Sequence, residues 1–313
     1  MLRFAKEFTA PLTLAGAKGF APLVYHCRRQ GAYVQEQAEE GIALSTQMGF
    51  PFWRAIGLFW RGWSLAEQGH YEEGIEQMQQ GLTAQRETGS SVNRVHFSVL
   101  LAEAYGHARQ FAEGLHLLAE AEAEMEKTDE RLYEAELWRI YGELSLRRGE
   151  RAKGGTGELK NERAGDRENG RMGGEDKEVA QSPIRPIAHS SPEECFLHAA
   201  AIARQQQAKS LELRAVMSLV RLRQQQALEQ GAGSAEQGEE SQESGVRSQK
   251  QEARAALTEA HSMLVEVYNW FTEGFDTKDL QEAQALIEEL GKMGKRGKGR
   301  KSLGVSTSGS RES

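Results

Sequence analysis

Large and small apolar residues recur along this chain at i, i+4 and i+7. That spacing puts side chains on one face of a helix with about 3.6 residues per turn. The stretch from Leu58 to Leu82 shows the unit whole. An apolar helix carries Leu58, Gly62 and Leu65 on one face, then Gly69-His70-Tyr71 leads into an amphipathic helix carrying Gly74, Met78 and Gly81. Glycines on facing stripes let two helix backbones approach closely, so the pattern predicts an antiparallel helical hairpin. The second-helix triad recurs as Val34, Ala38, Gly41, then Gly74, Met78, Gly81, then Gly114, Leu118, Ala121, in steps of 40 residues. First-helix triads keep the same step: Leu58, Gly62, Leu65; Ser98, Ala102, Tyr105; Trp138, Gly142, Ser145. Repetition of this length marks a solenoid of stacked hairpins.

The small-residue placement resembles that of a tetratricopeptide repeat. Its period is roughly 34 residues, whereas HEAT and armadillo units run to roughly 40–47. The Gly69-His70-Tyr71 turn and the small–large–small second helix favour the tetratricopeptide reading, with the extra length assigned to links such as Arg86 to Ser91. The expected architecture is an all-α, tetratricopeptide-like helical-hairpin superhelix over residues 1–290, with two disordered insertions. Met1 to Ala10 reads as the end of a second helix, and Pro11 to Arg29 as the first helix of repeat one, kinked at Pro22. Gly49 is the expected helix stop and Pro51 the first residue of the next helix. No polar capping element covers the amino-terminal end, which implies a preceding domain or a partner there.

Later repeats are interrupted. Residues 150–190 are rich in Gly, Arg, Lys, Glu and Asp, a composition that buries too little apolar surface to offset chain entropy. Order resumes at Ser191-Pro192-Glu193-Glu194, a capping box with Pro at the first helical position. A fifth repeat starts at Ser210, with Val216, Val220 and Arg223 on its first helix and Ala260, Leu264 and Val267 on its second. Between them a second disordered tract is expected over about 228–255. Both tracts fall at the turn between the two helices of a hairpin, where insertions cost little. A final helix capped by Asp276, with Leu280, Ala283, Ile287 and Leu290 as its apolar stripe, covers the last repeat and stops at Gly291. Residues 291–313 form a basic disordered tail.

Charge and composition narrow the function. The formal net charge of −7 gives no attraction to nucleic acid or to an anionic membrane, so neither is an expected partner. Lys292 to Lys301 is basic but lacks the interleaved aromatics of a nucleic-acid surface. No apolar run reaches the roughly 18 residues of a membrane span, and Met1-Leu2-Arg3 opens no signal peptide, so a cytoplasmic location is expected. Cys27 and Cys195 read as buried free thiols. The eight histidines show no metal-ligand spacing, and no phosphate-binding loop is present. No cofactor and no catalytic residue is expected.

The segments GWSLAEQGHYEEGIEQMQQGL, LLAEAYGHARQFAEGLHLLAEAEAEMEKT, RLYEAELWRIYGEL and VYNWFTEGFDTKDLQEAQALIEEL together resemble one family. It is the carboxy-terminal tetratricopeptide region of large bacterial signalling proteins, predicted ATPases often fused to a class III adenylate or guanylate cyclase domain. The resemblance implies a non-catalytic protein-interaction or scaffold module, the sensor or regulatory arm of such a protein, with the ATPase or cyclase domains as partners in cis or in trans. A detached piece of the enzyme and a small-ligand sensor are the alternatives.

In such a superhelix the first helices line a concave groove. By register its residues are Ile56, Phe59 and Trp63, then His96, Val99, Glu103 and His107. The next two first helices add Glu136, Arg139, Glu143 and Arg147, then Arg214, Met217, Arg221 and Gln225. Aromatic at one end and charged at the other, this groove would hold an extended peptide or a helix.

Overall fold

The computed structural model describes residues 10–154, 190–232 and 243–299. Among them the backbone is helical throughout, in eleven helices: α1 (Pro11–Cys27), α2 (Gly31–Met48), α3 (Pro51–Glu67), α4 (Tyr71–Glu87), α5 (Arg94–His107), α6 (Phe111–Thr128), α7 (Glu134–Gly154), α8 (Pro192–Gln205), α9 (Lys209–Ala232), α10 (Glu243–Tyr268) and α11 (Lys278–Gly299). Successive helices pack as hairpins, and odd-numbered helices also touch one another in order: α1 on α3, α3 on α5, α5 on α7, α7 on α9 and α9 on α11. The array therefore has an inner layer of odd helices and an outer layer of even ones. Among the described residues no helix is long and apolar enough to cross a membrane.

The backbone carries the 40-residue step independently of the side chains. Left-handed residues close the hairpins at Arg29, Gly69 and Arg109 and link them at Gly49, Gly89 and Asp129. Each hairpin turn is tied by the same hydrogen bond from the residue after it to a carbonyl five positions back: Gln30 to Tyr25, His70 to Leu65 and Gln110 to Tyr105. That bond satisfies a carbonyl that the helix end leaves without a partner. The extra length relative to a 34-residue unit lies partly in extended links, such as the six residues from Thr88 to Asn93 between α4 and α5, and partly in the helices. α1 and α2 have 17 and 18 residues and only Gly49 and Phe50 separate α2 from α3.

The glycines predicted to sit at crossings do so. A Cβ on Gly62 would lie 2.6 Å from the Gly74 carbonyl oxygen and 2.6 Å from the Met78 nitrogen, and one on Gly81 would lie 2.6 Å from the Phe59 nitrogen. Gly114 faces the Ala102 carbonyl, and Gly142 faces Cys195 and Phe196 of α8. These contacts are with backbone or buried side chains that cannot retreat cheaply. Gly62→Ala is therefore expected to cost about 1–3 kcal/mol of stability. Gly149→Ala, in the same kind of helix but with nothing within 4 Å of the added Cβ, should gain roughly 0.5–1 kcal/mol. Urea unfolding of the two variants measures the contrast, and equal shifts would remove the close-packing account.

Two apolar clusters fill the space between layers. One spans α2 to α5 (Val34, Trp60, Met78, Phe97) and the other α5 to α11 (Val99, Leu137, Phe196, Leu264). α5 contributes to both from opposite sides, and most of its residues are buried. The Ser191 capping box, Pro192 at the first helical position and the Gly49 stop are present as expected.

Several expectations are corrected. Helix continues through residues 150–154, 228–232 and 243–255, where disorder was expected, and α11 runs past Gly291 to Gly299. Many residues there (Ala, Glu, Gln, Lys, Arg) are strong helix formers, so an existing packed helix propagates through them at little cost. Asp276 does not cap α11: its carboxylate pairs with Arg28 at 3.1 Å. The Thr277 carbonyl takes the first helical bond, from the Gln281 amide. Cys27 is exposed rather than buried, whereas Cys195 is buried; both are free thiols. The expectations for residues 1–9, 155–189, 233–242 and 300–313 lie outside the described residues.

Candidate functional site

The inner layer curls until its ends meet. Arg28 and Arg29, in the turn after α1, reach Asp276 at 3.1 Å and Glu282 of α11 at 3.2 Å. Arg214 of α9 bonds Asp279 of α11 at 2.6 Å and donates to the Cys27 carbonyl at 3.1 Å. Polar contacts of this kind are screened by salt and are individually weak. The enclosed space is a cavity of about 150 Å³ walled by all six odd helices.

At one end the cavity is filled by α1 itself. The His26 ring lies against Trp60 and Trp63 of α3 at centroid distances of 5.1 and 5.7 Å. Its Nε2 is 3.3 Å from His96 Nε2 and 3.4 Å from the Tyr133 hydroxyl, and His96 stacks on Tyr133 at 3.5 Å. Nδ1 of His26 donates to the Pro22 carbonyl at 3.2 Å, so Nε2 is left to accept. Burial, and then Arg214, lower the His26 pKa to about 4, and burial followed by His26 holds His96 well below its ordinary value. Among the described residues His96 Nδ1 and Trp60 Nε1 have no hydrogen-bond partner. The neighbouring Cys27 is exposed at its edge, but partial desolvation among its neighbours raises the pKa of its thiol.

The middle is an ion network centred on Arg139. Its guanidinium meets Glu136 at 3.0 and 2.7 Å, Glu143 at 2.8 Å and Glu103 at 3.1 Å. Burial alone would raise the Glu136 pKa, but Arg139 and Arg214 outweigh it and hold the carboxyl below the usual range. For Glu143, burial is likewise outweighed by Arg139 and by the Ser218 hydroxyl, which donates to it at 2.8 Å. Glu67 goes the other way: burial and then Glu103 raise it.

Of the residues assigned to the groove by register, Trp63, Glu103, His107, Arg139, Glu143, Arg147, Arg214, Met217 and Arg221 line this one cavity. Ile56, Phe59 and Val99 do not, because they are buried between hairpins, Phe59 stacked on Phe97 at 3.9 Å. His96 is buried against His26 and Tyr133, and Glu136 is buried beneath Arg139. Gln225 lies outside the cavity and bonds Glu150 and Glu229. The aromatic end of the groove is thus occupied by α1, and the charged end remains open. Sequence reasoning missed His26, Arg29, Glu67, Asp279 and Glu282. Glu67 was accessible from register, since 67, 107 and 147 differ by 40. His26 and Arg29 are out of register with the other inner residues and reach the cavity only because the array curls.

The sequence matches no protein-family model and no curated protein.

Proposed function

We propose that this chain is a non-catalytic interaction module that holds a charged segment of a partner protein in the open, charged end of its concave face. The observation that carries the reading is the convergence of six stacked helices on one cavity whose apolar end is already filled. Ion-paired walls favour selectivity for a complementary charge pattern over raw affinity. The regulatory arm of a bacterial signalling ATPase or nucleotide cyclase is the role that the resembling segments support.

The test is capture from a bacterial lysate with the wild-type chain and with the double variant Arg221→Glu/Gln225→Glu. Arg221 lies in the charged end of the cavity and Gln225 one turn further along α9, just outside it; neither belongs to the two apolar clusters. A single protein retained in stoichiometric amount by the wild type and released by the variant supports the reading. A partner retained equally by both would place recognition on the outer layer.

A further inference from the structure

A second cavity, of about 710 Å³, opens at the α5–α6 turn. It shares His107 and Arg147 with the inner cavity and adds Arg109 from the turn and Arg151 from the end of α7. Four of the five arginines of the inner cavity are committed: Arg29, Arg139, Arg214 and Arg221 each face a carboxylate within 4 Å. Arg109 and Arg151 are not, for among the described residues neither has a carboxylate within 4.0 Å; Arg147 has no ion pair that close but acts electrostatically on Glu143, one turn before it. The one acid in the wall, Glu150, takes the Gln225 amide at 2.8 Å. His107 is held by stacking on Tyr71 at 5.7 Å.

Three guanidiniums around one concavity, none closely ion-paired among the described residues, are not the background of a chain whose net charge is −7. Like charges so gathered repel unless an anion joins them, and a guanidinium fork fits phosphate or carboxylate oxygens in pairs. The volume lies within the 300–1,000 Å³ of small-molecule sites and is far larger than one ion needs. We propose that this cavity binds a small molecule bearing two or more negative charges on phosphate or carboxylate groups, with Arg109, Arg147 and Arg151 as its ligands. The site adjoins the partner surface but does not depend on it.

Calorimetry on the full chain in about 0.01 M salt, where screening is weak, tests this with two probes, pyrophosphate and citrate. Saturable 1:1 binding of either is expected, and the tighter probe tells phosphate from carboxylate. Arg109→Ala/Arg151→Ala and Arg147→Ala should each weaken it at least tenfold. Arg109→Lys, keeping the charge but losing the fork, should fall between. Arg86→Ala, an exposed arginine on α4, should change nothing. All these positions are exposed, so melting temperatures should match the wild type. Arg221→Glu alone, at a residue that pairs with Glu282 and is not in this cavity's wall, should bind the probe normally, which separates this site from partner capture. No saturable binding of either probe, or equal weakening by Arg86→Ala, would overturn the proposal.

Discussion

Arg139→Met should lower the stability of the fold by about 3–5 kcal/mol, the usual consequence of stripping one partner from a buried ion pair. Arg139 and Glu136 are both nearly inaccessible, at 6% and 5% exposure. Without the guanidinium, three carboxylates from α5 and α7 face one another, with Arg214 3.6 Å from Glu136 and Arg147 acting on Glu143 as the remaining cations that offset them. The cost comes from leaving charges buried without compensation, so it should shrink when they are removed as well. The triple variant Glu136→Gln/Arg139→Met/Glu143→Gln is expected to recover at least half of the loss in urea unfolding. If Arg139→Met costs less than about 1 kcal/mol, the network is solvated rather than enclosed.

Acidification should weaken the fold well before carboxylates in general titrate. His26 is buried neutral, with its folded pKa at about 4 against roughly 6.5 when unfolded. The unfolded chain therefore binds the proton first. Stability is complete above pH 6.5 and is lost as the pH falls through 6.5 toward 4, by about 3 kcal/mol. His96 shifts in the same direction, but two adjacent imidazolium ions exclude one another, so only one proton is counted. The groups facing the pair are Trp60, Trp63, Tyr133, Arg214 and Glu136, and the nearest cation opposes protonation. Below this window Glu136 adds a loss of its own, because its folded pKa is depressed and its stabilisation fades as it protonates. Urea unfolding at pH 7.5 and 4.5 should differ by most of that amount in the wild type and by little in His26→Phe/His96→Phe. Equal pH dependence in both would mean the imidazoles are solvated.

The hairpins were legible in the sequence because close approach of two helices needs hydrogen atoms in place of side chains, and Gly62, Gly74 and Gly81 record that need at fixed spacing. Helix ends were legible where a special residue makes them, as at Gly49 and Ser191. Continuations through 228–232 and 243–255 were not, because polarity and helix propensity coincide in Glu, Gln, Arg and Lys. Burial of Phe59 was hidden for another reason: register places it beside Trp63, and the sequence cannot say how far each helix is rotated. Closure of the array was least legible of all. Small rotations between neighbouring hairpins add up until residues about 250 positions apart, Arg29 and Glu282, meet. No local pattern carries that sum.

The meeting of the two ends is measured most directly as a distance in solution. Spin labels at Val24→Cys in α1 and Glu273→Cys beside α11, with Cys27→Ser, report it by double electron–electron resonance. Six inner helices stacked straight at 8–10 Å would separate the labels by roughly 40–50 Å. The curled array predicts a single population at less than about half that distance at low salt, broadening to longer distances as salt or Arg29→Glu weakens the ionic closure. A long distance, unchanged by either, would contradict the enclosed cavity on which the functional reading rests.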